Sequence, residues 1–125
     1  MNGGTLMKLP ESELEVMLVL WEKSPLKTPE IMKSLNHTGW SISTLQALLQ
    51  RLEDKGVVTK TMEGRTKLYS PLLSQKDYSH DLSNDMLKRF YRGSISSFLA
   101  HFAEAEGMTQ KDLEEIQAII DRKGK

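Results

Sequence analysis

One predicted helix has an apolar side and a polar side, and this pattern constrains the fold more than any other part of the chain. Leu45, Leu48, Leu49 and Leu52 recur at i, i+3, i+4 and i+7, the spacing of one face of an α-helix. A helix of this kind has to bury its leucines against other elements. At 100° per residue, the opposite side carries Ser43, Thr44, Gln46, Ala47, Gln50 and Arg51.

The ends of this helix are marked by residues that favour a start and a stop. Ser41 is predicted to be its N-cap, and Trp40 and Leu45 are spaced as a hydrophobic staple around that cap. Gly56 follows the last apolar residue and favours the left-handed conformation in which many helices end. The helix is therefore predicted to lie between Ser41 and Gly56.

Two further helices are predicted before this one. The first has its own apolar stripe, with Leu14, Met17, Leu18 and Trp21 at i, i+3, i+4 and i+7. The second is predicted to begin at Thr28, which can cap the helix ahead of a proline and a glutamate that favour a first turn. Both helices have an apolar side to set against the leucines of the third.

A β-hairpin is predicted after the third helix. Residues 57–62 and 66–71 have the pattern of two short strands, and residues 63–65 contain the glycine that favours a tight turn between them. Three helices followed by a hairpin is the order of a winged helix-turn-helix domain. In that architecture the third helix enters the major groove of DNA, and the hairpin, or wing, contacts phosphates.

The predicted wing is rich in basic residues. From residue 55 to residue 67 the chain has four basic residues and one acidic residue, a local net charge of +3. Basic side chains on a hairpin also occur as edge charges that prevent aggregation, so the wing alone is a weak indication of DNA contact. With the third helix it predicts a set of phosphate contacts, which are Ser41, Arg51, Lys60, Arg65 and Lys67.

After residue 73 the pattern predicts three more amphipathic helices. Their apolar sides have no partner in a monomer, so burial between two subunits is expected. We therefore predict a mainly α protein with a small β-hairpin. Residues 1–73 would form a winged-helix DNA-binding domain, and residues 74–125 a helical dimerisation arm. The residues predicted to dimerise are Leu82, Met86, Phe90, Ile95, Phe98, Leu99, Phe102, Ile116 and Ile120.

Composition argues against several other classes of protein. The 125 residues include no cysteine, which excludes a disulfide scaffold, a thiolate nucleophile and a zinc site with sulfur ligands. His37, His80 and His101 are not in a metal-ligating spacing, and the chain has no phosphate-binding glycine loop. No apolar run is long enough to span a bilayer, and residues 1–8 lack the pattern of a signal peptide. We expect a cytoplasmic protein without catalytic activity, metal or cofactor.

The polar side of the third helix suits the base edges of DNA. Hydroxyl and amide side chains can donate to and accept from bases, and a small apolar side chain can contact a thymine methyl group. Acidic residues come only at the C-terminal end of the helix, so its first half does not repel the duplex. The residues predicted to read bases are Ser43, Thr44, Gln46, Ala47 and Gln50. The alternative is a winged helix that binds another protein and never contacts DNA.

Several segments together match the pattern of one family. They are Leu9–Met17 leading to Trp21, the stretch from Trp40 to Gly56, Gly64-Arg65, Tyr69–Leu72, Tyr91-Arg92-Gly93-Ser94 and Leu113–Ile120. In these segments, which cover nearly the whole chain, the sequence resembles the penicillinase repressor family, also called BlaI/MecI.

The resemblance implies a homodimeric repressor that binds a palindromic DNA operator, with one recognition helix of each subunit in a major groove. In antibiotic-responsive members of the family, a membrane-bound sensor with a zinc-metalloprotease domain triggers cleavage in the dimerisation arm, and the dimer then releases DNA. Aligned on Phe102, the bond cut in those relatives is His101–Phe102 here. The partners implied are therefore operator DNA, a second copy of the chain and a sensor protease.

Overall fold

The computed structural model of the chain describes residues 7–105 and 107–124. Three short strands and six helices are assigned within these residues, and they form two compact units, Met1–Leu82 and Ser83–Lys125. The elements are α1 (Glu11–Glu22), β1 (Leu26–Lys27), α2 (Thr28–Ser34), a 3₁₀ turn (Asn36–Thr38), α3 (Ile42–Asp54), β2 (Val58–Glu63), β3 (Thr66–Pro71), α4 (Gln75–Tyr91), α5 (Ile95–Ala105) and α6 (Gln110–Lys123).

The core of the first unit is built around the leucines of α3. Leu45, Leu48, Leu49 and Leu52 are all buried, which confirms the predicted apolar side of this helix. Other helices and the sheet supply the rest of the core, whose further buried members are Leu9, Val16, Met17, Leu20, Leu26, Ile31, Leu35, Val57, Val58, Tyr69 and Tyr78. Helices α1 to α3, the start of α4 and the sheet thus share one apolar interior, which includes the three helices and hairpin of the winged-helix prediction.

The buried side of α1 is not the predicted stripe. Of that stripe, Met17 is buried, Leu14 and Trp21 are half-buried, and Leu18 is 41% exposed. Every position from residue 16 to residue 21 is apolar, so the spacing of apolar residues fits two neighbouring faces of the helix equally well. The sequence alone therefore does not say which of the two faces is buried. Packing against α3 selects the face that the structure buries, which is Glu13, Val16, Met17 and Leu20.

The sheet has three antiparallel strands in the order β1-β3-β2, so the predicted hairpin lies within it. The two hairpin strands agree with the predicted ones to within a residue, and Glu63 pairs with Thr66 across a turn of Gly64 and Arg65. Gly64 has a φ of 65°, which glycine adopts without the strain that a Cβ would cause. Strand β1 was not predicted, because two residues are too few to show a period.

Helix α2 begins one residue earlier than predicted. Thr28 is already helical, and the cap position is Lys27, whose backbone N–H donates to the Glu30 carboxylate at 2.8 Å. The expected Thr28 cap is therefore wrong. The glutamate side chain satisfies an N–H group at the helix start, which is half of the reciprocal arrangement of a capping box.

A buried ion pair joins α1 to the end of α3. Glu13 is 3% exposed, and its carboxylate accepts a hydrogen bond from the ammonium of Lys55, the residue that caps the C-terminus of α3. A buried charge is tolerated only when it is paired and hydrogen-bonded. This contact therefore fixes the C-terminal end of α3 to α1 in addition to the apolar packing.

The start of α4 belongs to the first unit. Tyr78 is buried, its hydroxyl accepts a hydrogen bond from the Leu9 backbone N–H at 2.9 Å, and its ring centroid lies 5.7 Å from that of Trp21. The Trp21 indole N–H also donates to the Leu73 carbonyl at 2.7 Å. These contacts extend the compact unit to Leu82, past the domain boundary predicted at residue 73.

The second unit contains the end of α4 together with α5 and α6. Side chains cap the starts of α5 and α6. The Ser94 hydroxyl accepts from the Ser97 N–H at 3.1 Å, and Thr109 and Asp112 form both hydrogen bonds of a capping box. The Tyr91 hydroxyl lies 2.7 Å from Nδ1 of His101. An open groove of about 530 Å³ lies in this unit. It is lined mainly by apolar residues of α5, of α6 and of the connection between them, and also by Asp112 and Glu115.

Removing the Lys55 ammonium should destabilise the first unit. A Lys55→Met substitution keeps the aliphatic stem but leaves the buried Glu13 carboxylate without its partner, so we expect the free energy of unfolding to fall by about 1–3 kcal/mol. Urea denaturation followed by circular dichroism measures the change. The matched control is Lys76→Met at an exposed lysine of α4, for which we expect a change below about 0.5 kcal/mol. Equal stability of the two variants would contradict the assignment.

Candidate nucleic-acid interface

The turn before α3 sets the direction of this helix through three local hydrogen bonds. The Thr38 hydroxyl donates to the Leu35 carbonyl at 2.6 Å and accepts from the Trp40 N–H at 3.2 Å. Ser41 then caps the helix, because its hydroxyl oxygen accepts from the Thr44 N–H at 3.1 Å. The predicted cap is confirmed, and Trp40 packs against the core as the predicted staple requires.

The predicted base-reading residues all lie exposed on α3, but they differ in what they contact. Ser43, Gln46 and Ala47 are exposed in the first half of the helix. The Thr44 hydroxyl lies 3.1 Å from the Ser41 hydroxyl, so it shares a hydrogen bond with the cap. The Gln50 amide donates to the Asp54 carboxylate at 2.9 Å, which engages one of its donors within the helix. We call α3 the recognition helix from here on.

The wing, β2 and β3 with their turn, brings a basic tip to the surface. Arg65 and Lys67 are exposed at and beside the turn, and Met62 is 56% exposed on the paired strand. Arg51, also predicted to contact phosphate, is exposed on the recognition helix. These three cations are therefore accessible to an anionic ligand.

The other two basic residues of the predicted wing segment are ion-paired. The Lys60 ammonium lies 3.6 Å from the Glu53 carboxylate at the end of the recognition helix, and both side chains are about one-third exposed. Lys55, as described above, is bonded to the buried Glu13. The sequence count of +3 for this segment thus overstates the charge that the wing offers, because two of its four cations face carboxylates from other elements.

Tyr69 lies opposite Lys60 on the neighbouring strand and stays uncharged beside this ion pair. Burial raises the pKa of the Tyr69 hydroxyl above its ordinary value; Lys60 lowers this pKa and Glu53 raises it, each by less than burial does. The phenol is therefore neutral at physiological pH. The charge balance at this point is set by the lysine and the glutamate.

Sequence reasoning missed two ion pairs and one exposed apolar residue of this region. Glu13 and Lys55 are 42 residues apart, so no local spacing signals their contact. Glu53 and Lys60 lie on two elements whose relative placement depends on the hairpin fold. Ile42, the first residue of the recognition helix, is 46% exposed, although helical periodicity groups it with the buried leucines. The sequence signal that could have indicated the exposure of Ile42 is its position directly after the predicted N-cap, where an apolar residue lies at the end of the helix.

The residues predicted to dimerise include several exposed apolar side chains of the second unit. Phe90 is 75% exposed and Ile95 is 60% exposed, and Phe102 and Ile120 are also exposed. Met86, Phe98, Leu99 and Ile116 are half-buried. Leu82 differs from the others because it packs against the core of the first unit. The structure adds exposed apolar residues that were not predicted, which are Leu113 and Ile119.

Residues 7–105 and 107–124 contain neither a clustered metal site nor a membrane-spanning helix. In that part of the chain, no cluster of three or more histidine, aspartate or glutamate side chains is arranged to hold a metal ion. Over the same residues, no helix combines the length and the apolar character needed to cross a membrane.

A capped helix that presents a polar face beside a basic hairpin defines the winged helix-turn-helix class of DNA-binding proteins. The sequence profile of the penicillinase repressor family matches residues 9–122, so the chain belongs to this family of transcriptional repressors, which are not enzymes. It is 35% identical to the penicillinase repressor of Bacillus licheniformis, over 91% of this chain and 90% of that one.

Two solved structures of BlaI resemble a part of the chain that makes up somewhat more than half of it. The solution structure of the DNA-binding domain of the repressor BlaI is 39% identical, with a TM-score of 0.52, and covers 59% of this chain and 92% of its own. The monomeric form of Bacillus licheniformis BlaI in complex with the blaP half-operator gives the same identity and coverage, with a TM-score of 0.51. The predicted winged-helix fold and family are thereby confirmed.

Releasing Lys60 from Glu53 should strengthen binding to DNA of any sequence. In Glu53→Gln the lysine loses its counter-charge and can neutralise a phosphate fully, so log affinity should fall more steeply with log salt, by up to about 0.9 for each subunit bound to DNA. Fluorescence anisotropy with a random-sequence duplex at several salt concentrations measures this slope. Glu22→Gln, an exposed glutamate of α1, changes the net charge equally and controls for it. Identical slopes for the two variants would show that the ion pair does not mask Lys60.

Proposed function

We propose that the chain is a homodimeric repressor that binds a palindromic DNA operator through the major groove. The observation that supports this most directly is the N-terminal half of the recognition helix. It is capped by Ser41, and its leucines are buried in the core. Its exposed side has no acidic residues. Such a surface is built to present neutral donors and acceptors to base edges.

The proposed contacts divide into base readers and phosphate binders. Ser43, Gln46 and Ala47 are the main base readers, and Thr44 and Gln50 join them by exchanging their present hydrogen bonds for bonds to DNA. Arg51, Arg65 and Lys67 contact phosphates with accessible charges. Ser41 and Lys60 complete the phosphate set, with Lys60 giving up part of its interaction with Glu53.

The second unit is proposed to form the dimer. Its exposed aromatic and aliphatic side chains would be an aggregation hazard in a monomer, and burying them against a second copy removes them from water. We propose residues 1–73 as the DNA-binding domain and residues 74–125 as the dimerisation arm, whose first part, up to Leu82, packs on the core of the DNA-binding domain. The complex of monomeric BlaI with a half-operator supports one subunit per half-site.

Release from DNA is proposed to follow proteolysis of the arm. The bond between His101 and Phe102 lies inside α5, and a cut there separates part of this helix and all of α6 from the rest of the chain. A membrane-bound sensor metalloprotease is the proposed trigger, acting on a repressor in the cytoplasm. The proposal follows from family membership and from the position of this bond in the proposed dimer.

The salt dependence of affinity separates a DNA repressor from a winged helix that only binds protein. With about six phosphate contacts, log affinity should fall with log salt at a slope near −5. Arg65→Ala should make this slope shallower by about one unit per bound subunit, for every sequence. Gln46→Ala should instead change the preference at one base position by about 1–3 kcal/mol. Electrophoretic mobility shifts with duplexes selected from a random pool measure both effects. If the wild-type protein selects no duplex at low salt, the repressor proposal is wrong.

Removal of residues 102–125 should abolish the dimer and weaken operator binding. The truncated chain keeps the first unit, so its thermal unfolding should persist while analytical ultracentrifugation shows a monomer. Fusing an unrelated dimeric coiled coil to the truncated chain should restore most of the affinity, because it supplies a second subunit without α6. A truncated chain that still sediments as a dimer and binds as tightly as the full chain would contradict the role of the arm.

A further inference from the structure

Ile42 is an apolar side chain at the exposed start of the recognition helix. It is 46% exposed, whereas Leu49 is 1% exposed. Seven residues at 100° each place the two only about 20° apart around the helix axis. Their different burial therefore follows from position along the helix, since Ile42 lies in a first turn whose neighbours Ser41, Ser43 and Thr44 are exposed as well.

The folding of the helix does not explain an isoleucine at this position. The first position of a helix favours proline and acidic residues, and a β-branched side chain has a lower helix propensity than the straight-chain residues. Because nearly half of Ile42 remains in water, it also contributes less to the core than the leucines that follow. Its side chain is thus available for a contact outside the fold.

The geometry of a helix directs this side chain toward a ligand at the helix N-terminus. The Cα–Cβ bonds of an α-helix tilt toward its N-terminal end, so a side chain in the first turn projects past that end. In helix-turn-helix proteins the N-terminal residues of the recognition helix contact base edges in the major groove. Gln46, one turn further on and about 40° around the axis, is exposed beside Ile42 and can supply polar contacts.

Among the base edges of the major groove, the C5-methyl group of thymine is the apolar feature, and the rest are hydrogen-bond donors and acceptors. We propose that Ile42 contacts the C5-methyl group of a thymine in each operator half-site and thereby selects thymine at that position. This inference rests on the proposed function. It adds a base-reading residue to the five predicted from the sequence.

Deoxyuridine tests this contact because it lacks the methyl group and keeps every hydrogen bond of thymine. The probe is a duplex that the wild-type protein has selected from a randomised pool, remade with each thymine replaced singly by deoxyuridine. For the wild type, replacement at one position per half-site should weaken binding about fourfold, because the Ile42 contact is lost. About fourfold corresponds to the free energy of burying one methyl-sized group. Anisotropy titrations give the affinities.

Three variants make the assignment specific. Ile42→Ala should bind the unmodified duplex about fourfold more weakly for each subunit, which is about sixteenfold for the dimer, and should no longer distinguish thymine from deoxyuridine at that position. Ile42→Val should retain the distinction. Leu18→Ala, a control at a 41% exposed leucine of α1, should keep the wild-type pattern. Thermal unfolding of each variant confirms that it is folded.

The outcomes separate this inference from the proposed function. If the wild type binds the selected duplex and Ile42→Ala shows the same deoxyuridine profile, Ile42 does not read thymine and the repressor proposal stands. If the wild type selects no duplex at low salt, both are overturned. The contact is established if replacing the same thymine by deoxyuridine weakens binding of the wild type, Ile42→Val and Leu18→Ala but does not weaken binding of Ile42→Ala.

Discussion

Burial of the leucine side of the recognition helix is the interaction on which the rest of the first unit depends. Each leucine that moves from water into the core contributes about 1.5–3 kcal/mol, whereas an exposed ion pair contributes about 0–1 kcal/mol. The rotation of α3 about its axis is therefore set by the core and not by the surface. The polar side faces outward as a consequence, so surface residues such as Ser43 and Gln46 can vary with the DNA sequence without altering the fold.

The charges of the chain are arranged so that little positive charge is left uncompensated. The whole chain has 17 basic and 17 acidic residues, and even the predicted wing segment has two of its four lysines and arginines paired with glutamates from α1 and α3. Binding to DNA of any sequence scales with the number of accessible cations. In the proposed repressor, affinity therefore depends more on neutral base contacts and on the presence of two subunits than on charge.

The parts that the sequence predicted are those governed by local periodicity and capping. The recognition helix, its Ser41 cap and the hairpin around Gly64 follow from residues that are close in the chain. The buried side of α1 was mispredicted because its apolar residues form a nearly continuous run. The Glu13–Lys55 and Glu53–Lys60 pairs were missed because they join separate elements, and the exposure of Ile42 depends on where the core ends. Each miss concerns how elements pack together, which no local pattern specifies.

A repressor of this kind can be switched without any change in its DNA-reading surface. Two subunits held together bind two half-sites with an effective concentration in the millimolar range, so the dimer binds about 10²–10⁴ times more tightly than one subunit alone. If nonspecific attraction is weak, a single subunit keeps only the affinity of its own base and phosphate contacts, and that affinity falls steeply with salt. Loss of the arm would then be sufficient for release, even though the recognition helix, its cap and its buried leucines remain as they were.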